Sequence, residues 1–201
     1  MHTSARILAW IGILWLAWIA AWWTLAFWRK PVRQRGDAKY ELGHRVLLIA
    51  GALMIWRPVW FGPLRARPYA PPLWLLWAGL AAVLAGMALT FWARFSLGGN
   101  WSGRIVLKTG HELIRRGPYA RIRHPIYTGI LLALLGTVAA LSSWSGWLGL
   151  ALAFLALTIK ARGEEKLLAP VFGAEFAEHL RRTGRFLPRL RRDRQVSHPL
   201  S

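Results

Sequence analysis

Gly117-Pro118-Tyr119-Ala120-Arg121-Ile122-Arg123-His124-Pro125-Ile126-Tyr127-Thr128-Gly129 sets arginine, histidine, two tyrosines and two prolines at the entrance of an apolar run that continues to Leu141. Proline is cheap in a first helical turn, where its missing N–H has no partner to lose, so the run predicts a helix starting at Pro125. Ionisable groups at the end of a membrane helix are costly and tend to mark function. The stretch lies upstream of the one adjacent acidic pair, Glu164-Glu165, in a chain with only eight acids. The pattern points to a membrane enzyme more than to a passive anchor.

Outward from this stretch the apolar residues fall in blocks. Ile7–Trp28 holds 22 residues without a charge, and Leu73–Ala93 holds 21. Val46–Trp56 resumes after Arg57 as Val59–Phe61. Ile126–Leu141 and Trp144–Ile159 have 16 residues each. A bilayer core of about 30 Å takes roughly 20 helical residues, so the first and third blocks are long enough to span. The last two need local thinning or burial at their ends. A cleaved secretory signal would have a shorter apolar region, whereas residues 1–28 are studded with Trp10, Trp15, Trp18, Trp22, Trp23 and Trp28 and read as a retained membrane helix. The expected fold is an all-α integral membrane protein with five transmembrane helices, the last two a helical hairpin around Ser142–Gly146. Its parts are an N-terminal set of three helices over 1–95, a core over 96–190 and a basic flexible tail over 191–201.

The net charge of +19 would suggest nucleic acid in a soluble chain. Its placement argues otherwise. The six segments outside the blocks carry 1, 6, 3, 7, 0 and 10 of the 27 Lys and Arg residues, so five spans put 23 on one side and 4 on the other. That asymmetry places the C-terminus in the cytoplasm and the N-terminus outside. The basic excess then reads as topology and attraction to anionic lipid, with no nucleic-acid partner. The absence of Cys excludes disulfides, thiolate nucleophiles and Cys-based metal sites. With the Ala-, Arg- and Trp-rich usage it reads as a bacterial inner-membrane protein.

Between the blocks, Arg29-Lys30-Pro31 stops the first helix, and 31–45 is a polar basic connection. Helix two is expected over about Leu42–Phe61 and helix three over about Leu73–Phe95, the latter with Gly79, Ala82, Gly86 and Ala88 suited to close packing in lipid. Arg104–Lys108 alternates like an extended segment. The Asn100-Trp101-Ser102 glycosylation triplet is discounted because this loop falls on the cytoplasmic side. Helix five continues beyond the apolar block, and a second amphipathic helix, about Ala174–Arg182, follows Phe172-Gly173.

On a helix Lys160 and Glu164 share one face, while Arg162 and Glu165 share another about 100° round. Solvated ion pairs at an interfacial helix end would be the plain reading. The scarcity of acids, and their level with Arg123-His124 at the cytoplasmic mouth, favour a site. His111, Tyr119, His124 and Tyr127 look like a lining of oriented polar groups around an apolar pocket. Pro125 and Gly129 allow close backbone approach to a ligand. A metal site is not expected, since His111 and His124 have no third ligand at a suitable spacing.

His111-Glu112-Leu113-Ile114, Gly117-Pro118-Tyr119, Arg123 through Gly129, and Glu164-Glu165 with Leu168 and Phe172-Gly173 resemble, in order and spacing, the isoprenylcysteine carboxyl methyltransferase family. The likeness covers roughly residues 96–190, with Phe186-Leu187-Pro188 as its closing element, and is weaker over helices one and two. The glutamate pair is also similar to that of the membrane phospholipid methyltransferases. The resemblance implies an integral membrane methyltransferase that binds S-adenosylmethionine in a cytoplasmic region. It implies a cofactor surrounded by His111, Glu112, Leu113, Ile114, Tyr119, His124, Pro125, Ile126, Tyr127, Glu164 and Glu165. The family usually has an Arg one turn before the glutamate, facing the substrate. This chain has Lys160 there, a point charge rather than a bidentate fork, and Arg162 two residues on. Lys160, Arg162 or Arg104 would hold an anionic head, and a lipophilic acceptor would enter from the bilayer past Asn100 and Trp101. Two alternatives compete. Sterol-type reductases that use NADPH share an Arg-x-Pro-x-Tyr element, and a non-catalytic basic lipid-binding protein would bind neither cofactor. Which atom of which acceptor is methylated stays open at this point.

Overall fold

A computed structural model describes residues 2–28 and 30–189. The expected basic tail, 191–201, and Arg29 lie outside the described residues. Five helices dominate: α1 His2–Leu25, α2 Ala38–Trp56, α3 Leu73–Leu97, α4 Pro125–Leu141 and α5 Trp144–Arg182. Three of them, α1, α3 and α5, are long and apolar enough to cross a membrane; α4 is apolar but shorter. The protein is a mostly helical integral membrane protein.

Local chemistry sets several ends. Asp37 caps α2 by accepting from the Lys39 N–H at 2.9 Å. Ser143 caps α5 by accepting from the Gly146 N–H at 3.1 Å. Each cap satisfies an orphan donor of a first turn. Pro125 opens α4 as its sequence position predicts. Helix two starts earlier than expected and stops at Trp56, and the remainder of its apolar block folds into 3₁₀ turns over Pro58–Arg65. The second helix expected after Phe172-Gly173 is present: α5 is two helices that meet at a kink, and the part beyond Gly173 runs to Arg182. Gly173 takes φ 46° and ψ −120° at the kink, which glycine adopts without a Cβ penalty.

The all-helical expectation misses a small sheet. Val32–Arg35 (β1) pairs antiparallel with Val106–Lys108 (β2). The alternation at 104–108 marks its second strand, but β1 is fully exposed and so leaves no alternating pattern to read. The sheet ties the connection after α1 to the loop after α3.

The helices pack as two close pairs. In α3/α4, Gly79 faces Gly136 and Gly86 faces Gly129; in α2/α5, Gly51 faces Gly149. A Cβ at Gly51 would sit 2.7 Å from the Gly149 carbonyl, so only glycine permits this approach. Helix α1 lies against α3 and α4, pinned by Trp15 Nε1 to Thr137 Oγ1 at 2.9 Å and Trp18 Nε1 to Thr90 Oγ1 at 2.8 Å. Arg94, wholly buried on α3, closes the C-terminal end of α1. Its guanidinium donates to the carbonyls of Leu25 (2.6 Å) and Trp28 (2.9 Å) and lies over the rings of Trp28 and Trp101. Those carbonyls lie at and just beyond the end of α1, where the helical hydrogen-bond ladder stops, so one arginine serves both.

Candidate functional site

The middle of α5, the start of α4 and the loop after α3 meet around a polar cleft. Tyr127 on α4 donates its O–H to Glu164 Oε1 at 2.7 Å. The His124 ring lies parallel to the Tyr127 ring, centroids 5.3 Å apart, with Nδ1 at 3.5 Å from Glu164 Oε2 and Nε2 at 3.1 Å from Glu165 Oε1. One imidazole thus bridges the two glutamates. The two carboxylates then diverge, because adjacent helical residues point about 100° apart. Glu164 lines the cleft. Glu165 turns to Arg123 Nε at 2.9 Å and Arg185 Nη2 at 2.7 Å.

Arg123 and Arg185 make Glu165 the centre of a clasp. Residues after α5 return across the start of α4: the Arg123 N–H donates to Gly184 O (2.9 Å) and the His124 N–H to Arg185 O (3.1 Å). Thr128 Oγ1 donates to Phe186 O at 2.7 Å. Glu165 therefore holds the frame rather than facing the cleft. Glu165→Gln is expected to lower stability by about 3 kcal/mol, because it leaves two largely buried guanidinium groups short of their counter-charge. Thermal unfolding of the purified protein in detergent checks this.

The cleft gathers the expected residues Asn100, Trp101, Arg104, His111, Tyr119, His124, Ile126, Tyr127 and Glu164. Others stand apart. Glu112 is exposed and paired with Lys30 at 3.0 Å. Leu113 and Ile114 are half-buried beside the cleft, and Ile114 packs on the cluster around Tyr119. Pro125 is buried as the first residue of α4. Arg162 is exposed on the far face of α5. Lys160 is buried beneath the cleft with Nζ donating to Gly103 O at 2.7 Å. The sequence reading did not single out Leu167, which joins Leu168 in the cleft wall three and four residues after Glu164, a spacing that puts all three on one helical face.

His111 and His124 are driven in opposite directions. Burial and the nearby Lys30 lower the pKa of His111 from 6.5, so it stays neutral; its Nδ1 accepts from the Lys108 N–H at 3.3 Å, leaving Nε2–H to donate. Burial also opposes charge on His124, but hydrogen bonds to Glu164 and Glu165 outweigh it and raise its pKa above 6.5. A raised folded value means that the His124 contribution to stability is complete below 6.5 and is lost as pH rises through the folded value. The melting temperature of the wild-type chain should therefore fall as pH rises above 6.5 through the folded value. In His124→Asn that decline should disappear; scanning Tm from pH 6 to 9 checks it.

Below the cleft, between the two helix pairs and against α1, lies an apolar cavity of about 660 Å³ lined by Trp15, Trp18, Trp56, Ile130, Leu134 and Leu157 among others. The cleft itself encloses about 120 Å³, and about 680 Å³ with its open mouth.

A sequence profile of the isoprenylcysteine carboxyl methyltransferase (ICMT) family matches residues 77–170, from α3 through the glutamate pair. Over these residues, just under half of its length, the chain is similar to the ICMT family. It superposes on the structure of a eukaryotic intramembrane Ras methyltransferase ICMT with a TM-score of 0.52 and 23% identity, covering 72% of this chain and 51% of the other. That likeness establishes the fold. The chain is 34% identical over 136 residues to the cobalt-zinc-cadmium resistance protein CzcN of Cupriavidus metallidurans, covering 67% of this chain and 54% of the relative. It is 38% identical over 60 residues to YpbQ of Bacillus subtilis, covering 29% of this chain and 36% of the relative. The chain thus spans about half or less of the length of these relatives. The family match takes in α3, α4 and the first two thirds of α5, and leaves α1 and α2 outside it.

Proposed function

We propose that the protein transfers a methyl group from S-adenosylmethionine to a lipophilic acceptor at the cytoplasmic membrane face, with α1 to α5 as five spans and the C-terminus in the cytoplasm. The match to the ICMT family over residues 77–170 supports methyl transfer. One structural observation carries the reading further: a carboxylate, Glu164, stands oriented between Tyr127 and His124 in a polar cleft directly above a large apolar cavity. A charged donor and a lipid-soluble acceptor need those two environments side by side.

The residues present suit the cofactor. Glu164 offers acceptor oxygens for an ammonium or for ribose hydroxyls, and the neutral His111 offers a donor. Val106, Ile126, Leu167 and Leu168 provide apolar wall for a purine. The enclosed volume is small for such a molecule, so it would also occupy the open mouth. When bound, S-adenosylmethionine supplies a methyl group on a sulfonium for in-line displacement. The chain's part is alignment and exclusion of water, which raise such rates by fixing the reacting partners in an attack geometry. Trp101, Tyr119 and Tyr127 form a largely buried aromatic wall that keeps water from the reacting region. Arg104, in the cleft wall, would hold an anionic head.

The test is calorimetric titration of the purified chain with S-adenosylhomocysteine and, separately, with NADPH. Methyl transfer predicts binding of the first alone. Binding of NADPH alone would replace this reading with the reductase one.

A further inference from the structure

Helices α4 and α5 wall both cavities at successive turns. On α5, Leu157 lines the apolar cavity and Glu164 lines the polar cleft. On α4, Ile130 lines the first and Tyr127 the second. A rise of about 1.5 Å per residue puts roughly 10 Å between Leu157 and Glu164 along α5. Lys160 sits within that interval and lines neither space. It is buried, with Nζ 2.7 Å from Gly103 O and 5.5 Å from the centroid of the Tyr127 ring. A buried ammonium needs partners; Lys160 has this carbonyl, the aromatic face and the nearby carboxylates of Glu164 and Glu41.

We infer that Lys160 is the partition between the two cavities, and the residue that decides whether a chain lying in the apolar one presents its head in the polar one. Its stem fills the layer between Leu157 and Glu164. Its hold on Gly103 ties that layer to the loop that carries Ser102 and Arg104, both in the cleft wall. An incoming group that accepts hydrogen bonds replaces the Gly103 carbonyl as partner. The flexible four-carbon stem then swings aside with the ammonium, and the two volumes join. A head that accepts no hydrogen bond leaves Lys160 in place and the layer shut. Passage of a methyl acceptor rests on the proposed activity; the partition itself does not.

The chain has no Cys, so Ala153→Cys puts a single thiol on the wall of the apolar cavity. The protein is placed in phosphatidylcholine nanodiscs and treated with a sulfonated, membrane-impermeant methanethiosulfonate. With Lys160 present the thiol should label slowly. Adding Lys160→Ala should speed labelling at least about tenfold, since reaction requires thiolate and access to the reagent. Lys160→Ser, which likewise removes the stem, is the second variant should the alanine form fail to fold, with the same direction expected. Equal labelling with and without Lys160, fast or slow, overturns the partition. S-adenosylhomocysteine binding is measured on the same samples as a separate check of the proposed activity. If the wild-type chain binds none, the methyl-transfer reading fails while the labelling still decides the partition. If it binds and labelling is equal, the partition fails and the reading stands.

Discussion

Glu164→Gln is expected to weaken S-adenosylhomocysteine binding by about 10- to 100-fold, the range set by losing a hydrogen bond to a charged group worth about 1.5–3 kcal/mol. Glutamine keeps the shape of the side chain, and its carbonyl oxygen still accepts from the Tyr127 hydroxyl, so the fold should be preserved. What is lost is the negative charge facing the cleft. His124 also loses one of its two carboxylate partners but keeps Glu165 at 3.1 Å. Glu165→Gln should give the opposite outcome: stability lost through Arg123 and Arg185, with affinity changed less in whatever fraction stays folded. The pair therefore separates a ligand-facing carboxylate from a frame-holding one, although the two residues are adjacent. Unchanged affinity in Glu164→Gln, by isothermal calorimetry at pH 7, would assign Glu164 to the frame as well and leave the cleft without its anionic group.

The division between the two glutamates marks what a sequence can and cannot show here. That Glu164-Glu165 belongs with Arg123-His124 is readable from chain chemistry, because acids are scarce and both pairs fall at the same end of their apolar blocks. Which glutamate faces the cleft depends on Arg185, which comes twenty residues later and returns only because the chain after α5 crosses the start of α4. No local pattern announces that return. The helices themselves are legible from apolar block length, and the start of α4 is fixed by Pro125. The strand β1 is not, since Val32–Arg35 is exposed on both faces and acquires its structure by pairing with residues more than seventy positions away. Arg94 is hidden for a related reason. It reads as one more cation flanking a span, and only the fold shows it buried among the carbonyls that end α1. Lys160 looked like a substrate-facing charge from its place one turn before Glu164. The structure puts it under the cleft, on Gly103 O.

Gly86→Leu is expected to be the most destabilising single change in the membrane region. The small residues of α3 suggested close packing, and the reciprocal contacts show how close. A Cβ on Gly86 meets the Ala133 N at 2.7 Å and the Ala133 Cβ at 3.0 Å, and the Gly129 carbonyl is nearer still. All of these belong to α4, and most are backbone, which cannot step aside as a side chain would. A leucine there must push α3 and α4 apart. In lipid such pairs are held mainly by van der Waals packing, with no hydrophobic gain from leaving water, so lost contact is not offset elsewhere. Overpacking typically costs about 1–3 kcal/mol and occasionally more. The rigid backbone contact on both sides of this crossing places it at the upper end. The effect should reach the cleft as well: α4 carries Tyr127 two residues before Gly129, so separating the pair moves the Tyr127 hydroxyl from Glu164 and weakens S-adenosylhomocysteine binding in the fraction that stays folded. Gly43→Ala is the control. Gly43 lies in α2 with no atom within 4 Å of the added Cβ, and removing a helical glycine should raise stability by up to about 1 kcal/mol. Thermal unfolding in detergent should order the three proteins as Gly43→Ala, wild type, Gly86→Leu. A Gly86→Leu protein that melts with the wild type would show that α3 and α4 are not held at this glycine crossing.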